Sequence, residues 1–175
     1  MKRETLQKVE HFMRHELKTK LRNDLTALRI TKEADAECCL FYHLRRTLPA
    51  KGRWKVLARK HARRTGFYID VLVFKGHRPR LAVEIKWNKK KMPDKDRRSL
   101  NTALRRLRVN KAYFVSVGPD LSNYQEQPKK GIEKNRLFEI PIYLGVHDIR
   151  RLQEWKANRN RFGNAMRRGP AKPKK

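Results

Sequence analysis

The sequence predicts an α/β domain in which a mixed β-sheet is flanked by helices. Segments rich in aromatic and β-branched residues, which favour strands, alternate along the chain with segments whose apolar residues recur at helical spacing. Strands that alternate with helices are typical of α/β folds. The length of 175 residues suits one domain with terminal extensions better than two domains.

Two helices are predicted before the first strand. Residues 1–22 form a basic amphipathic pattern, which we interpret as an N-terminal helical extension over residues 1–30. Its apolar positions are Leu6, Val9, Met13, Leu17 and Leu21. The second helix is predicted over 32–48, with Thr31 as its N-cap and Pro49 as its stop.

The central part of the chain predicts a β-hairpin. Residues 54–58 favour a first strand, and residues 67–74 and 80–87 favour two longer strands of mostly apolar residues. The segment 75–79 contains glycine and proline and therefore predicts the turn between the longer strands.

After the hairpin the pattern predicts a helix over 94–109 and a strand over 111–117. Residues 137–144 favour one more strand, which Pro141 confines to an edge of the sheet or to a bulge.

The last predicted elements form a C-terminal segment over 146–175. It consists of a helix near 147–160 and a basic tail, and the composition of 169–175 predicts disorder there. The central domain is accordingly assigned to residues 31–145.

The charge of the chain is its strongest compositional feature. Lysine and arginine number 46 against 17 acidic residues, which gives a net charge of +29. So large an excess of one sign predicts a polyanionic partner, and we expect nucleic acid, DNA in particular. An anionic membrane surface is a weaker alternative, since no long apolar segment or strongly amphipathic anchor is present.

The two cysteines, Cys38 and Cys39, are adjacent in sequence and cannot support an ordinary disulfide framework. No secretory leader is visible at the N-terminus. We therefore expect an intracellular protein, cytoplasmic or associated with the nucleoid.

The hairpin carries the residues that favour chemistry. Asp70 and Glu84 are equally distant from His77, so a symmetric turn would place them opposite each other with Cβ atoms about 5 Å apart. Glu84 and Lys86 are two residues apart and share one face of their strand. A cross-strand salt-bridge patch is the alternative, but the surrounding apolar residues predict a mostly buried hairpin, where charges are costly.

These residues resemble the motif of the PD-(D/E)XK nucleases. The motif is carried by Ile69-Asp70-Val71 and, fourteen residues on, Glu84-Ile85-Lys86, with Ile69 in place of the proline. The resemblance covers about residues 31–118. It implies a restriction-endonuclease-like core that hydrolyses phosphodiester bonds with Mg²⁺, for which Mn²⁺ would substitute. Asp70, Glu84 and Lys86 would be catalytic, and Asp70, Glu84 and Ile85 would ligate the metal.

The resemblance also implies an acidic residue on the helix that precedes the hairpin. The candidates are Glu33, Asp35 and Glu37. We predict Glu37 as the catalytic and metal-binding acid, because Leu40 and Leu44 follow it on the apolar stripe that faces the sheet. Glu33, one turn earlier, is the alternative.

Basic residues flank this candidate site on both sides in the sequence. We expect them to contact phosphates without reading sequence. Together with one aromatic residue, the predicted nucleic-acid contacts are Arg59, Lys60, Arg63, Arg64, Trp87, Lys89, Lys90, Lys91, Arg97 and Arg98. A solvated surface is the alternative for any single cation, and packing in the core is the favoured alternative for Trp87.

These expectations together predict a magnesium-dependent DNA endonuclease that is structure-selective or weakly sequence-specific. It would act as a homodimer or within a larger nucleic-acid-processing complex. Two alternatives stay open: a noncatalytic nucleic-acid-binding protein on the same scaffold, and an RNA-directed nuclease.

Overall fold

The computed structural model describes most of the chain up to Leu144. The described residues are 2–50, 52–62, 67–119 and 123–144, together with positions 150 and 154. The predicted tail and nearly all of the predicted C-terminal helix lie outside the described residues.

The N-terminal segment is helical over a longer range than the pattern predicts. Helix α1 (Lys2–His11) continues through a π-helical turn (Phe12–Glu16) into helix α2 (Leu17–Thr26). Its buried apolar side chains belong to the same core cluster as those of the sheet. The segment predicted as an extension is therefore an integral part of the fold.

Helix α3 (Glu33–Thr47) lies within one residue of its predicted limits at each end. Its predicted cap is different. Thr31 donates its backbone N–H and its hydroxyl to one carboxylate oxygen of Asp35, at 2.9 and 2.7 Å, and Lys32 occupies the N-cap position without a side-chain bond. Asp35, in the first turn of the helix, therefore holds Thr31, which precedes the N-cap residue. Thr31 is not itself the N-cap.

Within the described part of the chain, five strands form one mixed sheet, which confirms the predicted α/β class. In chain order they are β1 (Trp54–Ala62), β2 (Phe67–Lys75), β3 (Arg78–Trp87), β4 (Lys111–Gly118) and β5 (Leu137–Tyr143). The order in the sheet is the order in the chain. Strands β1 to β3 are antiparallel, and β3, β4 and β5 are parallel. Pro141 lies in β5, the edge strand, as predicted.

Helices cover both faces of the sheet. Val83 and Ile85 of β3 belong to the core cluster that contains the apolar side chains of α1, α2 and α3. Ala82 belongs to the second cluster, with Leu100 of helix α4 (Asp94–Thr102). Glu84 and Lys86, which alternate with Val83 and Ile85, therefore lie on the α4 side of the sheet.

Helix α4 is shorter than predicted, since a π-helical turn (Ala103–Leu107) follows it and Arg108 has a left-handed backbone with φ of 54°. Among the described residues, no helix has the length and apolar character needed to cross a membrane.

Candidate active site

The register of the central hairpin brings Asp70 and Glu84 together. Val71 pairs with Val83, and one step further along both strands the next residues are Asp70 and Glu84. The turn is not symmetric about His77, because the register shifts by one residue next to Phe74. The one-residue shift next to Phe74 and the shorter turn cancel each other. Asp70 therefore lies opposite Glu84, as predicted.

Strands β2 and β3 separate beyond this point. Their ladder ends at Val71 and Val83, and the backbone N–H of Ile85 donates instead to Oδ2 of Asp70 at 2.9 Å. A side-chain carboxylate thus replaces the missing strand partner. The gap opens into a cleft of about 460 Å³, lined by Tyr68, Asp70, Glu84, Lys86, Lys89, Pro93, Lys95, Asp96 and Ser99.

The ammonium of Lys86 lies at the centre of the cleft. Its Nζ donates to Oδ2 of Asp70 at 3.3 Å, to Oε1 of Glu33 at 3.1 Å and to the backbone carbonyl of Ile85 at 2.9 Å. Burial lowers the pKa of Lys86, but the negative charges of Asp70, Asp96 and Glu33 outweigh burial and raise it above its ordinary value. Lys86 is therefore charged at neutral pH.

Glu84 is the most deeply buried acid of the cleft, with 3% of its surface exposed. Ser99 on α4 donates its hydroxyl to Oε1 of Glu84 at 3.0 Å. Burial first, and then the charge and hydrogen bond of Asp70, raise the pKa of Glu84 to about 9. The Glu84 carboxyl group is therefore protonated at neutral pH.

Asp96 is a fourth acid of this cluster, and the sequence reasoning missed it. It lies in the first turn of α4, is 7% exposed, and its buried Oδ2 has no hydrogen-bond partner among the described residues. Burial, together with the charges of Asp70 and Glu33, raises the pKa of Asp96, while Lys86 lowers it. The loop between the end of β3 and the start of α4 is short, so the first turn of α4 must lie near the end of β3. This loop length could have indicated that Asp96 reaches the cleft.

The acid that α3 contributes to the cluster is Glu33, the alternative, and not Glu37. Glu33 accepts from Lys86 and, through Oε2, from the backbone N–H of Trp87 at 3.3 Å. Glu37 is buried, as its place on the apolar stripe predicted, but it is not among the groups bonded to Lys86. The site lies at the end of β3, near the N-terminus of α3, so the first residue of the helix reaches it.

Nine of the ten predicted nucleic-acid contacts divide into three groups. Lys89 is exposed in the wall of the cleft, and Lys90, Lys91 and Arg98 are exposed within two residues of the wall in the chain. Arg59 and Lys60 lie in β1, but their side chains are outside the described part, as are Arg63 and Arg64 entirely. Trp87 is half-buried against the core cluster, which agrees with the packing alternative.

Arg97 has an internal role that the sequence reasoning missed. Its guanidinium donates to both carboxylate oxygens of Glu133, to the side chain of Gln127 at 3.0 Å and to the carbonyl of Pro128 at 2.6 Å. These bonds fasten the segment after β4 to helix α4. The prediction that Arg97 contacts phosphate is therefore not supported, because four of its five N–H donors are already used.

Tyr68 is a second missed feature of the cleft. It lies two residues before Asp70 on β2, and 67% of its surface is exposed at the rim. Its spacing from Asp70 places both on one face of the strand, a signal that the sequence already contained. An exposed aromatic ring at this position can stack on a base.

Among the described residues, no group of three or more Asp, Glu, His or Cys side chains is arranged so that it could by itself hold a metal ion. Magnesium does not need one, since it is commonly held by one or two carboxylates with water and substrate phosphate as its other ligands. The neighbouring carboxyl groups of Asp70 and Glu84, and the Asp96 oxygen that has no hydrogen-bond partner among the described residues, fit such an ion.

No family model, curated protein sequence or solved structure matches this chain. The functional argument therefore rests on the geometry and chemistry of the cleft.

Proposed function

We propose that this protein is a divalent-metal-dependent nuclease that hydrolyses phosphodiester bonds in DNA, on a core similar to that of the PD-(D/E)XK nucleases. The observation that carries the proposal is the meeting of Asp70, Glu84 and Lys86 where β2 and β3 separate. Two acids and an amine in one cleft provide both a cation site and a positive group beside it. The mixed sheet with helices on both faces is compatible with such a core.

Asp70 and Glu84 would hold the metal, with the carbonyl of Ile85 as the next available oxygen. Mg²⁺ is the expected ion, and Mn²⁺ should substitute for it because both prefer oxygen ligands. A cation at this position would activate a water molecule and neutralise charge on the phosphate. Ser99 fixes the orientation of the Glu84 carboxyl group.

Lys86 would orient the attacking water and offset the charge that develops on the phosphate. Its raised pKa keeps it protonated at neutral pH, which favours this electrostatic role over proton removal. Glu33 would act through Lys86 as a positioning residue. It accepts a hydrogen bond from the ammonium of Lys86 and another from the backbone N–H of Trp87.

DNA would be held over the cleft by the exposed cations at its rim. Lys89 and Lys95 line the opening, and Lys90, Lys91 and Arg98 are exposed beside it. Such contacts bind the phosphate backbone irrespective of sequence. Tyr68 would add stacking on an unpaired or distorted base, which favours structure-selective over sequence-specific cutting.

A noncatalytic nucleic-acid-binding protein is the second candidate. It is favoured by one observation: the Lys86 ammonium already neutralises Asp70 and Glu33, so the cluster is partly balanced without a metal. In this case the acids and Lys86 would only support the end of the sheet.

A plasmid-nicking assay separates the two candidates. We expect wild-type protein to nick supercoiled DNA with Mg²⁺ or Mn²⁺ and to be inactive with EDTA. Asp70→Asn, Glu84→Gln and Lys86→Met should each lower the rate by about 10²-fold or more. A labelled RNA of the same sequence tests the RNA-directed alternative.

Helix α4 offers a matched control pair for this assay. Asp96 is buried in the cleft and Asp94, in the same helical turn, is exposed. Asp96→Asn should reduce nicking, while Asp94→Asn should leave it unchanged. Folding of every variant is checked by thermal unfolding. A folded wild-type protein that binds DNA but never nicks it would establish the second candidate instead.

A further inference from the structure

The end of the sheet farthest from the cleft carries a second concentration of positive charge. Two cavities of about 760 and 690 Å³ lie on either side of the β2–β3 turn. They share His77, Arg78 and Arg80 in their walls. The other basic residues that line them are Arg53, Lys75, Arg106 and Arg108. No acidic side chain is among the described residues of either wall.

The backbone around this end is held in place by hydrogen bonds. The N–H of Gly76 donates to the carbonyl of Arg53 at 2.6 Å, which ties the turn to the segment before β1. Gly76 has φ of 62°, a conformation that suits glycine. The N–H of Asn110 donates to the carbonyl of Arg80 at 2.7 Å, which ties the start of β3 to the segment after α4. Arginines from three separate segments are thus fixed around one turn.

We propose that this hairpin end is a second phosphate-binding site, which grips the backbone of the same nucleic acid that occupies the cleft. The proposal rests on the proposed function for the identity of the ligand. Arginine binds phosphate through paired N–H groups, and several arginines in walls whose described residues include no acid suit a polyanion better than a single small anion. Three acids, Asp70, Glu84 and Asp96, line the cleft, whereas no acid is among the described residues that line these cavities.

The distance between the two sites sets the shortest duplex that can contact both. Strand β3 begins at Arg78 in the hairpin end and reaches Lys86 in the cleft eight residues later. At about 3.3 Å per residue the separation is roughly 26 Å, which equals about 8 base pairs at ~3.4 Å each. Exposed Arg98 and Arg105 lie on α4 and the π-helical turn that follows it, in the chain between Asp96 of the cleft and Arg106 of the hairpin end.

The test measures binding without cleavage, so that it does not depend on catalysis. Fluorescence anisotropy in EDTA measures the binding of wild-type protein to DNA duplexes of 6 to 20 base pairs. The same measurement is made with RNA duplexes of these lengths. The hairpin-end variant is Arg78→Gln/Arg108→Gln. The control variant, Lys20→Gln/Arg45→Gln, removes two exposed charges from α2 and α3 that line neither cavity.

We expect wild-type affinity to rise steeply once the duplex exceeds about 8 base pairs, because both sites are then occupied. On 20-base-pair DNA the slope of log affinity against log salt is negative. The hairpin-end variant should reduce the magnitude of this slope by about 2, one unit for each lost phosphate contact. The control variant should keep both the wild-type slope and the wild-type length dependence.

An equal loss of slope in both variants, or no loss in the hairpin-end variant, would overturn the proposal. Tighter length-dependent binding of RNA would keep the second site and reassign its ligand. Failure of the nicking assay leaves these results unaffected, so the two proposals fail separately.

Discussion

Two neighbouring arginines, Arg97 and Arg98, are equivalent in the sequence but have opposite roles in the structure. Arg97 is the internal clamp on Glu133, with 23% of its side chain exposed. Arg98 is exposed on the same helix, near the cleft. Alanine at position 97 should therefore impair stability and leave DNA binding intact, whereas alanine at position 98 should do the reverse.

The expected size of each effect follows from the contacts. Arg97→Ala removes four hydrogen bonds and, among the described residues, leaves the buried carboxylate of Glu133 with Asn101 and the backbone N–H of Lys130 as donors. Breaking a buried ion pair costs about 3–5 kcal/mol, so the melting temperature should fall by about 10 °C. Arg98→Ala should change stability by less than about 0.5 kcal/mol.

Urea unfolding and the salt dependence of DNA binding measure the two effects in parallel. Arg98→Ala should reduce the salt slope by about 1, while Arg97→Ala should leave it at the wild-type value under conditions where the variant is folded. If Arg97→Ala unfolds the protein, Arg97→Lys retains the charge and should show a smaller loss of stability. A stable Arg97→Ala variant with a reduced salt slope would refute the assignment of Arg97 as an internal clamp.

Two further predictions concern Glu133, the partner of Arg97, and Gly118, which lies against Asn88. Arg97 first, and then Asn101 and a backbone N–H, lower the pKa of Glu133 from 4.5 to about 2, so its stabilising effect is complete above about pH 4.5 and is lost as the pH falls toward 2. The difference in unfolding free energy between wild type and Glu133→Gln should therefore be constant from pH 5 to 7 and shrink below 4.5; a difference that grows in acid would contradict this. Gly118→Ala would place a Cβ 2.7 Å from Oδ1 and 3.0 Å from Cα of Asn88, two residues after Lys86. It should cost about 1–3 kcal/mol by urea unfolding and slow nicking, and adding Asn88→Gly should restore part of both; full activity in Gly118→Ala would mean that the strand end does not position Lys86.

Most of the fold could be predicted from periodicity. Strands and helices with clear apolar patterns were placed correctly, and β5 lies at the edge where Pro141 allows it. The N-terminal helix was found, but its part in the core was not, because an amphipathic stripe does not reveal which surface covers it. The bulge next to Phe74 was also invisible, since the number of residues in a turn does not determine how they pair.

The candidate site could be predicted only as far as it depends on strand register. Asp70, Glu84 and Lys86 follow from alternation along two strands, and the structure brings them together. The choice between Glu33 and Glu37 depends on where the end of α3 lies relative to the end of β3, which no local pattern contains. Asp96 was missed for the same reason, because it reaches the cleft from an element beyond the motif.

The scarcity of acids makes their positions informative. Only 17 of 175 residues are acidic, and four of these, Glu33, Asp70, Glu84 and Asp96, surround the single ammonium of Lys86. Like charges at close range oppose folding, and a chain with 46 cations had many ways to neutralise them. Lys86 is the ammonium inside this cluster, whereas Lys89 and Lys95 are exposed at the opening of the cleft, so the inner part of the site has more carboxyl groups than cations. A divalent cation would remove that excess, and the surrounding positive surface would bring the polyanion to it. The arrangement is thus costly for a scaffold and useful for a metal-dependent nuclease.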